Sequence, residues 1–119
     1  MVLFKHHLLA LVLQRAKTQT RRTHRRELHQ GRVYPITDQL FGRAAAYIKI
    51  TRKWRQRLGD VSEEEARAEG FFGIADFREA WEAINGSWNP EQVVIAYEFE
   101  LVAINQPIFP FDPKTGKWR

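Results

Sequence analysis

A chain of 119 residues, 44% hydrophobic and 13% aromatic, can bury one compact core and is short for two ordinary domains. With no cysteine, it has no disulfide framework, thiolate zinc site or cysteine nucleophile, a composition that suits a reducing cytoplasm. The net charge of +5 averages two unlike halves: residues 1–59 hold 14 basic and 2 acidic side chains, and residues 60–119 hold 5 and 12. An anionic partner and internal pairing therefore compete for the same cations.

In chain order, Phe4, Leu8, Leu11 and Val12 fall on one stripe, so residues 4–15 read as an amphipathic helix. Its longest wholly apolar run, Leu8–Leu13, is far short of the roughly 20 residues of a membrane span. No small-residue cleavage site follows it, so neither a membrane helix nor a signal peptide is expected. Residues 17–26 suit a polar strand or extended edge, with Thr18, Thr20 and Arg22 on one side and Lys17, Gln19 and Arg21 on the other. Arg32–Ile36 is a short strand candidate bearing Pro35. Residues 43–54 form a better one, with Ala46, Ile48 and Ile50 inward and Tyr47, Lys49 and Thr51 outward. Ser62 and Glu65 have capping-box spacing and predict a short helix to about Glu69, stopped by Gly70. Asp76 and Glu79 repeat that spacing before an apolar face of Phe77, Ala80, Trp81 and Ile84, which ends at Asn85-Gly86. Residues 93–104 alternate as a long strand mostly buried on one face, with Val93, Ile95, Tyr97, Phe99 and Leu101 set against Val94, Ala96, Glu98, Glu100 and Val102. The domain so delimited is 1–104, and 105–119 is a tail carrying Pro107, Pro110 and Pro113.

Three segments, Leu11-Val-Leu-Gln-Arg-Ala-Lys-Thr-Gln-Thr-Arg-Arg22, Leu58-Gly-Asp-Val-Ser-Glu-Glu-Glu-Ala-Arg-Ala-Glu-Gly-Phe71 and Ile84-Asn-Gly-Ser-Trp88, are followed by a strand ending Tyr97-Glu-Phe-Glu-Leu101. In this order they resemble the ASCH domain, a member of the PUA-like β-barrel superfamily; the first segment is similar to the family's G-x-K-T-x-T-x-R pattern. The match departs where the family often has glycine: Arg15 stands there, so the turn before Lys17 must form without glycine's permissive backbone. The resemblance implies an α+β fold, a small mixed β-barrel of about five to six strands with two to three helices, and a cleft suited to RNA or a nucleotide. It also implies RNA binding or membership of larger RNA and transcription assemblies, hydrolysis of N4-acetylated cytidine, or ribonuclease activity, and fold alone does not choose among these. Binding of RNA or a modified nucleoside is the leading expectation, with no cofactor and a protein partner also compatible.

In the amidohydrolase group the resemblance places a catalytic lysine on Lys17, a threonine on Thr20 and a glutamate on Glu69. A threonine hydroxyl needs a base within hydrogen-bond reach, and a neutral lysine can serve. The pKa of Lys17 must then fall from about 10.4 toward roughly 7 to 8, through desolvation or neighbouring cations. Glu69 would orient that amine or bind the base. An acid at a helix C-terminus is disfavoured by the dipole and asks for a partner.

Arg21, Arg22, Arg25, Arg26, Lys53 and Arg55 are the candidate nucleic-acid contacts, because cations on a common surface bind a phosphate backbone. Tyr34, Tyr47 and Trp54 could stack a base, although core packing is the commoner fate of such residues. His6 and His7 are adjacent and His24 and His29 five apart, neither the i, i+4 spacing of a helical zinc clamp, and no metal site is expected.

Overall fold

The computed structural model describes residues 1–23, 26–39 and 42–105, with the backbone of 111–112 and 117–118. Its elements are β1 (Val2–Leu3), α1 (His6–Leu13), β2 (Gln19–Arg22), β3 (Val33–Thr37), β4 (Ala46–Arg57), a 3-10 turn (Leu58–Asp60), α2 (Glu63–Ala68), α3 (Ile74–Asn85), β5 (Val93–Ile104), β6 (Phe111–Asp112) and β7 (Lys117–Trp118). Five strands lie in the order β1-β3-β4-β5-β2, with β1 parallel to β3 and the other pairs antiparallel. This sheet curls into a half-barrel, giving the mixed α+β architecture expected from sequence. Among the described residues β6 and β7 pair with each other as a separate two-stranded sheet, and the three tail prolines lie outside the described residues.

The two twelve-residue strands β4 and β5 form the spine of the sheet. On β4, Ala46, Ile48 and Ile50 are fully buried while Lys49 is exposed, the alternation of a half-buried strand. The β4–β5 register passes from Ile50↔Phe99 to Arg52↔Glu98, leaving Thr51 as an extra residue that bends the strand. Each large apolar side chain removed from water along this face contributes about 1.5–3 kcal/mol.

On β5 the simple alternation fails in its first half. Val93 is 54% exposed whereas Val94 is buried, because a second apolar cluster of Leu58, Val61, Ala66, Phe77 and Trp81 covers the face that Val94 presents. Tyr97, Phe99 and Leu101 face the opposite, main core with Val2, Phe4, Leu9 and Val12. The strand thus separates two cores.

The helices also differ from expectation at their ends. α1 begins at His6, with Phe4 outside it and packed against the Phe99 ring at 6.1 Å between centroids. It ends on Arg15 in the left-handed region at φ 63°, while the amides of Ala16 and Lys17 return to the Leu11 carbonyl. A residue with a Cβ is strained there by about 1–2 kcal/mol. α2 carries the expected capping box: Ser62 Oγ accepts from the Glu65 amide, and the Glu65 carboxylate accepts from the Ser62 amide. The Asp76–Glu79 box does not form, because α3 starts two residues before Asp76, after Gly73. The Glu63 carboxylate, from the preceding helix, accepts from the Ile74 amide at 3.4 Å instead. β2 is four residues rather than the ten of the predicted extended segment. Pro35 lies inside β3, tolerated because β1 covers only Ile36 and Thr37 on that side.

Candidate functional site

Lys17 follows the left-handed turn at Arg15, and Gln19–Arg22 pair with β5 in the register Gln19↔Glu98, Thr20↔Tyr97, Arg21↔Ala96, Arg22↔Ile95. Alternation therefore sends Thr20 and Arg22 to the face of Tyr97, and Gln19 and Arg21 to the face covered by α2. The Thr18 amide donates to the Ala68 carbonyl at 2.8 Å, which ties the start of β2 to the end of α2 and sets Glu69 beside Lys17. Close approach requires Gly70: at φ +105° a Cβ would lie 2.9 Å from Leu11 Cδ1 and 3.6 Å from Lys17 Cβ.

The resulting cluster is almost wholly withdrawn from water. Lys17 is 2% exposed and Glu69 4%. Lys17 Nζ donates to the carbonyls of Gln19 (2.9 Å) and Glu69 (2.7 Å) and to Glu69 Oε1 (3.1 Å). Glu69 Oε2 accepts from Arg21 Nη1 at 3.0 Å, so one carboxylate serves two cations. Arg21 also donates from Nη2 to Glu65 Oε2 (2.6 Å), from Nε to Gln56 Oε1 (2.8 Å) and from Nη1 to Gln19 Oε1 (3.0 Å). Its guanidinium lies 5.6 Å from the Trp54 ring, whose closer cation is Arg52 at 4.0 Å. Two cations, Lys17 and Arg21, face two carboxylates, Glu65 and Glu69.

Burial pushes the Lys17 ammonium below the ordinary lysine pKa; Glu69 pulls it back up, and Arg22 and Arg21 add smaller downward pushes. Burial pushes the Glu65 carboxyl up, but hydrogen bonds from Ser62 and Gln56 and the Arg21 charge outweigh it, so this group sits below the ordinary glutamate value.

Lys17, Thr20 and Glu69 all line one cleft of about 600 Å³. The N-terminal segment, including Phe4, Lys5, His6 and His7, forms one wall, and Phe77, Ala80, Trp81 and Ile84 of α3 form another. The Thr20 hydroxyl accepts from Arg22 Nε at 3.4 Å and makes no hydrogen bond to Lys17. Arg22 Nη2 donates to the Leu3 carbonyl at 2.8 Å, and its guanidinium sits 4.8 Å from the Phe4 ring centre.

The cations expected to share one surface divide between the cleft and the surroundings of Glu27. Arg21 reaches the cleft but its side chain is fully buried in the ion cluster; Arg22 lines the cleft half-buried. Lys53 and Arg55 share Glu27 at 2.5 and 3.8 Å, Arg26 is exposed, and none of these three lines the cleft. Arg25 lies outside the described residues. Tyr34, Tyr47 and Trp54 are half-buried, and Tyr34 uses its hydroxyl to accept from the His29 amide. His6 pairs through Nδ1 with Asp38.

Several contributors were not singled out from sequence: Gln19, Gln56 and Glu65 complete the Arg21 shell, and Trp81 brings a buried indole N–H with no partner among the described residues. Strand parity opposite Thr20 was the available signal for Gln19 and Arg21.

Solved structures with this architecture include an ASCH domain from Lactobacillus crispatus, with a TM-score of 0.72 and 18% identity over 82% of this chain and 71% of that one. A DUF984 protein from Enterococcus faecalis gives a TM-score of 0.63 and 22% identity over 82% and 68%. No protein-family model matches the chain, and no curated protein does. At these identities the likeness is one of fold, and the chain shares the fold of the ASCH-domain structure. No helix among the described residues is long and apolar enough to cross a membrane.

Proposed function

We propose that the cleft hydrolyses an acylated amino group on a cytidine-like base, with Thr20 as nucleophile, Lys17 as base and Glu69 as the carboxylate that positions the amine. The observation that carries this reading is the convergence of these three side chains on one nucleoside-sized cleft, with the lysine–glutamate pair buried and the lysine pKa lowered by that burial. Of the candidate cations among the described residues, Arg21 and Arg22 alone line this cleft, which favours a small ligand there over an extended strand.

In the first step the Thr20 hydroxyl oxygen bonds to the acyl carbon and its proton passes to neutral Lys17. The C–N bond then breaks, and Lys17 returns that proton to the departing amine. A water molecule then attacks the acyl carbon with Lys17 taking its proton, the bond from that carbon to the Thr20 oxygen breaks, and Lys17 returns the proton to Thr20 as a carboxylic acid is freed. The neutral amine has two N–H groups, so entering the reactive state releases one of the three oxygens now held by Nζ. Its lone pair then becomes available to the hydroxyl.

A second reading, retention of a nucleoside without turnover, is favoured by the complete ammonium shell of Lys17 and by the absence of a Lys17–Thr20 hydrogen bond. Incubation with N4-acetylcytidine, with products separated and identified, decides between them. The hydrolase reading expects cytidine and acetate, and loss of both in Lys17→Met and Thr20→Val. Binding of the intact compound with no product supports the second reading and removes the first.

A further inference from the structure

Four of the described Lys and Arg residues are buried or half-buried: Lys17, Arg21, Arg22 and Lys53. Three have carboxylate partners, respectively Glu69, the Glu65–Glu69 pair, and Glu27. Arg22 makes no direct ion pair among the described residues; Glu69, already shared by Lys17 and Arg21, acts on its charge from beyond ion-pair distance. Its Nη2 is anchored by the Leu3 carbonyl and its Nε weakly by Thr20, which leaves Nη1 without a protein acceptor there. A cation withdrawn from water without a counter-charge is unfavourable unless an anion supplies one.

The surroundings of Arg22 point the same way. The contacts to Leu3 and Phe4 hold the guanidinium against the N-terminal segment, and the next residues in the chain, Lys5, His6 and His7, line the same cleft. Of the acids that line it, Asp38 is engaged by His6, and Glu69 is shared by Lys17 and Arg21. The charge left over is positive and sits with Arg22 and exposed Lys5. It also lies beside the reacting constellation, because Arg22 Nε contacts the Thr20 hydroxyl.

We infer that Arg22 and Lys5 form an anion subsite in this cleft for the phosphate of a small nucleotide, so that the preferred ligand is a phosphorylated nucleoside and not the free one. The choice of base rests on the hydrolase reading above; the phosphate subsite does not. A guanidinium offers paired N–H donors to phosphate oxygens, and the apolar contact with Phe4 keeps it from turning away.

The test measures binding without turnover. Titrations at low salt of the full chain with cytidine, cytidine 5′-monophosphate, inorganic phosphate and a short oligocytidylate are followed by calorimetry and by amide shifts of residues 3–7 and 22. The monophosphate is expected to bind about tenfold or more tighter than cytidine, the equivalent of one charge-assisted contact. Inorganic phosphate is expected to shift the same amides. Lys5→Gln, at an exposed site that the fold does not need, should weaken monophosphate binding several-fold and leave cytidine unchanged. Arg22→Gln should abolish the difference between the two ligands, and Arg22→Lys should restore part of it. Equal affinity for cytidine and its monophosphate, binding of neither, or binding of the oligonucleotide alone would overturn the subsite. Monophosphate preference with no hydrolysis of N4-acetylcytidine or its 5′-phosphate would keep the subsite and remove the hydrolase reading; hydrolysis without that preference would do the reverse.

Discussion

The basic half of the chain supplies two sets of cations with opposite fates. Lys17 and Arg21 are buried, each held by several oxygens at 2.6–3.1 Å. Arg52, Arg55 and Arg57, along β4, remain in water and meet Glu98, Glu27, Asp60 and Glu91 there. Both sets are paired, so pairing does not distinguish them. Desolvation does: within the cluster every charge depends on its counter-charge, whereas on β4 water can take over from a lost partner.

Glu69→Gln tests that contrast most strongly. It leaves Lys17 and Arg21 buried with one carboxylate fewer, and chemical denaturation should show a loss of about 3–5 kcal/mol. Asp60→Asn, which removes a partner of exposed Arg57, should leave the unfolding midpoint unmoved. Comparable losses from both variants would erase the distinction.

Gly70→Ala addresses the backbone that brings the cluster together. The new methyl meets Leu11 in a left-handed conformation, and a loss of about 1–3 kcal/mol is expected. Gly31→Ala is the matched control, with φ +85° and nothing within 4 Å. Its loss should be smaller, since only backbone strain contributes, and equal losses would show that the contact at Gly70 is immaterial.

A further effect is a pH dependence. Lys17 has a folded pKa below its ordinary 10.5, so between the two values the unfolded chain binds more protons and stability rises with pH. Lys17→Met should flatten that alkaline rise in denaturation curves collected up to about pH 10.5. Glu65 acts in the acid range: its lowered pKa adds stability above the ordinary value of 4.5, and this is lost as pH falls through the folded value. Glu65→Gln should remove that acid-side loss. An unchanged alkaline slope in Lys17→Met would mean that its ammonium is not desolvated in solution.

Much of this arrangement was legible in the sequence where the cause is local. The capping box at Ser62, the stop at Gly86 and the inward face of Ala46, Ile48 and Ile50 follow from spacing alone, and each is present. The misplaced acid at the end of α2 signalled that Glu69 needs a partner, and it has two. Arg15 takes up the conformation that the missing glycine would have eased, and its guanidinium reaches the Leu101 carbonyl at 3.2 Å. What was not legible depends on distant covering. Period-two reasoning places Arg21 opposite Thr20, yet it cannot say that α2 buries that side. For the same reason alternation alone does not show that Val94 is buried, and the Asp76–Glu79 spacing misses the start of α3, whose supporting acid comes from the previous helix.

The order of strands also bears on how the protein behaves among copies of itself. The twelve-residue strands are both interior, whereas the sheet ends in β1 with two residues and β2 with four. Arg22 spans from one of these ends to the other through the Leu3 carbonyl. Edges that short, one bearing arginines and the two clasped by a side chain, offer little template to an incoming strand. The curl that shapes the cleft thereby also protects the sheet against edge-to-edge aggregation.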